Sequence, residues 1–226
     1  MKEQPWGSSP PSVLIADDHR IFADALLVLL EKSCKVIGVV TDGRAMVAEA
    51  LRLKPSVIIV DVGMPLLNGL DAARRVKEQL PSIRLIFLTM QDDPNLAAAV
   101  LELGAVGFVL KHAAAVELLT AMGHVLSGRA YVTPKLRAED WVATKSRARQ
   151  FSKALTPRQR DVVQMCAEGR PIKQIAECLD LSEKTVEFHK HHIMESFNLR
   201  SNADLVLFAL KQGLISPDLE RIQRDH

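Results

Sequence analysis

Five residues in the first half of this 226-residue chain have side chains suited to phosphoryl chemistry. Asp17 and Asp18 lie in "LIADDHR", Asp61 in "VIIVDVGMP", Thr89 in "LIFLTMQ" and Lys111 in "GFVLKHA". Each stands where a short apolar run ends. Three carboxylates brought together repel one another, so at neutral pH they need a cation or raised pKa values. Mg²⁺ suits such a set, because it binds through one or two carboxylates together with water and a substrate phosphate. The Thr89 hydroxyl and the Lys111 ammonium are donors for phosphoryl oxygens. In that chemistry Asp61 is the nucleophile and the metal offsets developing charge. Singly, each residue has a structural reading: Asp-Asp-His as a helix cap, Thr89 as a strand residue, Lys111 as a surface lysine. Five suitable types at the ends of four strands carry the functional one.

Elements of regular spacing must place these residues. Runs rich in Val and Ile recur at 13–16, 36–40, 57–60, 85–89 and 107–110. Between and after them lie helical stripes: Ile21, Phe22, Ala25, Leu26, Leu29 and Leu30; Met46, Val47, Ala50 and Leu51; Leu70, Ala73, Val76 and Leu80; Leu96, Val100 and Leu103; Val116, Leu119, Met122 and Leu126. Apolar strands alternating with amphipathic helices predict an α/β domain with a doubly wound, five-stranded parallel sheet covered on both faces. In that architecture ligands sit beyond the carboxyl ends of the strands, where all five candidates fall.

The second half is helical. In "TPRQ", Thr156 caps a helix, Pro157 takes its first position and Gln159 completes a capping box, while Gly169 ends the helix. A short helix carrying Ile172, Ile175, Ala176 and Leu179 follows, then a tight "DLS" turn. Ser182 caps a third helix to about Phe197, and a fourth covers Ala203 to Lys211. Two short helices, a tight turn and a longer helix predict a helix-turn-helix. Projected at about 100° per residue, the third helix turns Val186, His189, Ile193 and Phe197 inward. Lys184, Phe188, His191 and Glu195 face outward, flanked by Glu187 and Lys190. An exposed Phe on a polar face suits a thymine methyl in the major groove, and the lysines suit phosphates; a surface helix packed on a neighbouring domain is the alternative. His189 and His192 are three apart, a spacing able to chelate a metal, but no carboxylate or thiol cluster accompanies them.

Composition sets the frame. Residues 1–127 carry 12 Lys and Arg against 14 Asp and Glu, and residues 128–226 carry 17 against 13. An acidic half followed by a basic half predicts two domains with different partners, the second suited to nucleic acid. No apolar run reaches the roughly 18–20 residues of a membrane span, so no membrane partner is expected. "MKEQPWGSSPPS" lacks the apolar core of a signal peptide and reads as a disordered leader. Cys34, Cys166 and Cys178 are odd in number and widely spaced, which predicts buried thiols in a reducing cytoplasm.

"LIADDHRIFADAL", "VIIVDVGMPLLNGLDA", "LIFLTMQDD" and "LELGAVGFVLKHA" resemble the receiver domain of bacterial response regulators. "LTPRQRDVVQMCAEGRPIKQIAECLDLSEKTVEFHKHHIMESFNLRSNADLVLFALKQGLI" is similar to the LuxR-type helix-turn-helix domain. Together they resemble the NarL/FixJ class. The organisation this implies is a leader (1–11), a flavodoxin-like receiver (12–127), a linker (128–153, with a short helix near Trp141), a LuxR-type domain (154–217) and a tail (218–226). The resemblance implies that Asp61 accepts a phosphoryl group from a sensor histidine kinase. Asp18, Asp61, the Gly63 backbone carbonyl and, through water, Asp17 hold Mg²⁺. Thr89 and Lys111 move onto the phosphate, and Phe108 is the aromatic switch. Glu187, Phe188 and His191 read bases of double-stranded DNA, while Lys184, Thr185 and Lys190 hold its backbone. Met90 departs from the small residue usual after the threonine; Gly63 and Gln91 occupy positions that tune dephosphorylation, and His112 stands where many receivers have proline. Glu187 and His191 replace residues that are often longer and basic.

The expectation is a cytoplasmic transcription regulator in which phosphorylation shifts the domain arrangement and promotes a homodimer, with Leu205, Val206 and Ala209 as candidate dimer contacts. Two alternatives stay open. One is a phosphorylation-independent DNA binder whose receiver serves dimerisation. The other is a Mg²⁺-dependent phosphohydrolase, for which "DVG" lacks a second carboxylate two residues after Asp61. No Walker A, HExxH, GxSxG or GxGxxG pattern is present, so no other enzyme class is expected.

Overall fold

The computed structural model describes residues 9–104, 106–136 and 155–215, in two compact units that part between Lys153 and Ala154. In the first, β1 (Ser12–Ala16), β2 (Lys35–Val40), β3 (Val57–Asp61), β4 (Arg84–Thr89) and β5 (Val106–Leu110) alternate with α1 (Arg20–Leu30), α2 (Gly43–Leu53), α3 (Gly69–Gln79), α4 (Pro94–Leu101) and α5 (Ala114–Leu126). The strands are all parallel, in the order β2-β1-β3-β4-β5-β6, where β6 is Tyr131–Val132. Successive strand side chains point to opposite faces, and the core divides accordingly. Leu14, Ile58, Val60, Leu85, Phe87 and Phe108 pack with residues of α2, α3 and α4. Val13, Ile15, Val57, Ile59, Ile86 and Val109 pack with residues of α1 and α5. The chain leaves β1 toward β2 on one side and returns to β3 on the other, which opens a crevice at the carboxyl ends of β1 and β3.

The structure departs from the expected pattern at α1, at Val116 of the expected α5 stripe, which is 84% exposed, and at both ends of the first domain. The α1 helix is apolar nearly all round, so its sequence does not mark one inward stripe. Ala23, Leu26 and Leu30 are buried, while Ile21 is 89% exposed and Val28 74% exposed. The expected linker does not begin at 128. Tyr131 and Val132 pair with Gly107 and Phe108 as the edge strand β6. The Thr133 amide donates to the Phe108 carbonyl, and the Thr133 hydroxyl accepts from the Leu110 amide and donates to Glu117. A two-residue strand is too short to show a period, which is why the segment reads as irregular in sequence. The expected helix near Trp141 lies outside the described residues, as do 1–8 of the leader and the 218–226 tail. Pro11, placed in the leader, is buried, and its carbonyl accepts from the Lys35 amide.

The second unit has four helices among the described residues, α6 (Pro157–Ala167), α7 (Ile172–Leu179), α8 (Glu183–Ser196) and α9 (Asn202–Lys211). Both bonds of the capping box form: the Thr156 hydroxyl accepts from the Gln159 amide at 3.2 Å, and the Thr156 amide donates to the Gln159 side chain at 2.9 Å. Gly169 follows α6 at φ +80°, the left-handed conformation that glycine adopts without a Cβ penalty. Leu155, Val163, Ile193, Ala209 and Leu214 form a core with Phe197 and Phe208 packed on it. Thr156→Ala is expected to lower the stability of this unit by about 1 kcal/mol, read as an earlier urea midpoint at unchanged slope. Three free thiols are present: Cys34 is buried, Cys166 and Cys178 half-buried. No described helix is long and apolar enough to cross a membrane.

Candidate phosphoryl-acceptor site and recognition helix

The ends of β1, β3, β4 and β5 bring the predicted residues into one crevice. Asp61 is the last residue of β3 and is 5% exposed. One of its oxygens accepts from the Gly63 amide at 3.2 Å, and the other lies 3.0 Å from the Lys111 ammonium. Lys111 also reaches Asp17 at 2.9 Å. Asp17, Asp18, His19 and Asp61 each offer a ligand atom, all within 4.8 Å of one another. Thr89 ends β4 and is buried, its hydroxyl accepting from the Gln91 amide at 3.0 Å. Met90, the residue after it, is 61% exposed. Phe108 is fully buried on the face covered by α4.

Two further residues belong to the site. The "DDH" stretch starts α1, but the His19 side chain makes no capping bond. Its Nδ1 lies instead 3.2 Å from Asp17, 3.1 Å from Asp18 and 3.7 Å from Asp61. Phe22, one turn into α1, places its ring 4.9 Å from the Lys111 ammonium. Adjacency to the Asp pair is the only sequence signal for His19. Phe22 reads there merely as part of a helical stripe.

The electrostatics follow from burial and from this pairing. Burial presses the Asp61 carboxyl upward, but His19, Lys111 and the Gly63 amide outweigh it and hold the group below the usual carboxylate range. Asp17 is pushed up, first by burial and then by the neighbouring Asp61 charge. Lys111 loses solvation yet is held above its ordinary value by the Asp61 and Asp17 carboxylates. His19 is pushed up to about 9, chiefly by Asp61 and against the effect of burial. The crevice therefore holds an ionised, desolvated carboxylate beside two cations, as an activated nucleophile for phosphorus requires.

The hard oxygen donors fit a small divalent cation. Asp17, Asp18 and Asp61 would offer it carboxylate oxygens that lie within 4.8 Å of one another. The Asp17 oxygens are engaged with Lys111 and the His19 amide.

On α8, Val186 and Ile193 are buried, and Ser182 caps the first turn through the Thr185 amide. Lys184, Glu187, His191 and Glu195 are exposed, as is Phe188 at 64%; Thr185 and Lys190 are half-buried. His189, expected inside, is only half-buried. His192, which the sequence offers only as a partner of His189 in chelation, is exposed with its ring 6.2 Å from that of Phe188. His191 pairs with Glu195 at 3.1 Å. Two of the three dimer contacts expected on α9 are buried. Leu205 is 1% exposed and Ala209 0%, both inside their own domain, and Val206 is half-buried. The capping box between Ser201 and Asp204 sets the start of α9 and turns the 205/209 face inward; Leu207, 55% exposed, points out.

Comparisons with known proteins agree with both halves. Residues 13–123 match the response regulator receiver domain, and residues 153–209 match the bacterial regulatory proteins of the luxR family. The chain is 33% identical over 217 residues to the oxygen regulatory protein NreC of Staphylococcus carnosus, covering 90% of this chain and 98% of that protein. It is 34% identical over 217 residues to NreC of Staphylococcus haemolyticus, with the same coverage. Among solved structures it is similar to the RcsB response regulator of Salmonella typhimurium, with a TM-score of 0.61 at 27% identity over 91% of this chain and 99% of that one. An RcsB–DNA complex gives a TM-score of 0.53 at 28% identity over 88% of this chain and 98% of that one. A receiver whose crevice holds all five expected side chains, followed by a luxR-type helical domain, places the chain among the response regulators of the NarL/FixJ class.

Proposed function

We propose that Asp61 takes a phosphoryl group from the phosphohistidine of a sensor kinase, and that this controls how the second unit binds double-stranded DNA. The observation that carries the reading is the buried Asp61 carboxylate, 3.0 Å from Lys111 within a cluster of acidic ligand atoms. An Asp61 oxygen attacks phosphorus and an acyl phosphate forms as the P–N bond breaks, its electron pair passing to the imidazole nitrogen, which takes a proton from solvent. Lys111 then donates to the new phosphoryl oxygens, joined by Thr89 once its hydroxyl leaves the Gln91 amide. Asp18, Asp61 and the Gly63 carbonyl would hold Mg²⁺, which when bound offsets charge on the transferring group. Phe108, buried beneath α4, is the residue through which movement of Thr89 reaches the α4 face.

On α8, Glu187, Phe188 and His191 form the base-reading face, and Lys184, Thr185 and Lys190 hold phosphates. The solved RcsB dimers bound to DNA support a homodimer as the active form. Changing a two-state arrangement from about 1:99 to 99:1 needs roughly 5.5 kcal/mol, which phosphorylation, dimer pairing and DNA binding share.

The test is selection of duplex DNA from a random library by the full chain, with and without acetyl phosphate and Mg²⁺. The expected result is a defined sequence bound about tenfold or more tightly after phosphorylation, within the usual range of allosteric coupling. Equal affinity in both states would favour a phosphorylation-independent DNA binder, and rapid release of inorganic phosphate would favour a phosphohydrolase.

A further inference from the structure

We infer that Phe22 is a positioning residue for phosphoryl transfer, its ring face holding the Lys111 ammonium in place while Asp61 beside it is converted to an acyl phosphate. The inference rests on Asp61 being the phosphoryl acceptor. Lys111 is almost fully buried, and among the described residues its ammonium has four close neighbours: Asp17 at 2.9 Å, Asp61 at 3.0 Å, His19 Nδ1 at 3.4 Å and the Phe22 ring centroid at 4.9 Å. The first three are ionisable groups of the acidic cluster, and each changes its interactions when a metal enters or a phosphoryl group arrives. Once Asp61 becomes an acyl phosphate, one of its oxygens is esterified and its charge moves outward onto the phosphoryl oxygens. Of these four, the ring alone attracts the ammonium without changing state, through the negative face of its quadrupole.

The position of Phe22 suits this role. It lies on the first turn of α1, one turn after the His19 cap, and is half-buried against the cluster that includes Val109, Leu118 and Met122. Its body is thereby packed against the core layer to which β5 and α5, the elements that flank Lys111, contribute. A lysine stem of four carbons has many rotamers, and a fixed aromatic face restricts where its end can go. The ring thus limits the ammonium to positions within reach of the Asp61 terminus throughout the reaction.

The test compares Phe22→Leu, which keeps apolar packing but loses the π face, with Phe22→Tyr, which keeps both. In the full chain at saturating acetyl phosphate and Mg²⁺, Phe22→Leu is expected to lower the maximal labelling rate of Asp61 about fivefold, the upper end for a cation–π contact whose ring is partly exposed. Phe22→Tyr is expected to stay within about twofold of the parent, and the concentration giving half-maximal rate to stay unchanged in both. The second readout is NMR of the Lys111 ε-methylene group, whose protons carry an upfield ring-current shift in the parent and in Phe22→Tyr and lose it in Phe22→Leu. Should Phe22→Leu fail to fold, Phe22→Met takes its place. An unchanged labelling rate in the Leu or Met variant, or an equal fall in the Leu and Tyr variants, overturns the inference while leaving Asp61 as acceptor. An absence of labelling in the parent overturns the acceptor assignment itself, and the Lys111 shift still shows whether the ring holds the ammonium.

Discussion

Asp61→Asn is expected to cut incorporation of phosphoryl groups from acetyl phosphate by about 100-fold or more, to background, as loss of a nucleophile does. The carboxamide has nearly the same shape as the carboxylate, and its oxygen can still accept from the Gly63 amide, a 3.2 Å bond in the parent. What it lacks is the charge that attacks phosphorus. Two electrostatic consequences oppose each other in stability. Lys111 loses one of its two carboxylates and His19 its chief carboxylate partner, while Asp17, buried and pushed up partly by the Asp61 charge, loses a repulsive neighbour. The melting temperature should therefore shift by only a few degrees, within about 1 kcal/mol. Intact-mass spectrometry after incubation with acetyl phosphate and Mg²⁺ checks the prediction, with circular dichroism for the fold. Normal labelling of the Asn variant would place the acceptor elsewhere.

Gly69→Ala is the second large effect, and it acts through packing. Gly69 is the first residue of α3, and its amide donates to the Val62 carbonyl at 2.9 Å, drawing the helix onto the end of β3. A Cβ there would lie 2.0 Å from the carbonyl oxygen of Asp61 and 2.9 Å from a Val60 methyl. Because the first contact is backbone, no rotamer change relieves it, and either α3 or the strand end must move. The expected cost is about 3 kcal/mol, the upper part of the range for overpacking, seen as a fall in melting temperature of roughly 10 °C. Since the displaced atoms belong to the acceptor residue, Asp61 labelling should slow as well. Gly128→Asn is the control: that glycine has φ +77°, and a Cβ added to it would meet no described atom within 4 Å. Asn tolerates the left-handed region, so the cost there should stay below about 1 kcal/mol. Similar losses for the two variants would show that the close approach at Gly69 does not set the cost.

The α/β class, the order of the five strands and their helices along the chain, and the Asp17, Asp18, Asp61, Thr89 and Lys111 constellation were all legible in the sequence. They follow from local periodicity plus the rule that parallel strands present their carboxyl ends together. The Thr156–Gln159 box and the Ser182 cap were legible for a similar reason, since a cap spans only three or four residues. Burial on α8 follows the helical projection at Val186 and Ile193 but not at His189, which is half-buried. A polar helix facing one core gives a clear inside and a blurred boundary.

Where a residue's place depends on a distant partner, the tertiary structure alone decided it. The α1 helix has apolar residues on nearly every side, so only packing against the sheet selects Ala23, Leu26 and Leu30 for burial. On α9, Leu205 and Ala209 were expected as dimer contacts, and packing within their own domain buries them instead. Tyr131 and Val132 become a strand only because the β5 edge offers unpaired backbone groups. His19 and Phe22 enter the site because β1 and β5, which lie far apart along the chain, hold Asp17 and Lys111 2.9 Å apart. The sequence by itself determined the five main strands, the helices between them and the chemical groups that end them, because those depend on neighbours a few residues away. Which faces close together, and which extra side chains the closure traps beside Lys111, depend on contacts between distant segments, and only the folded chain supplies them.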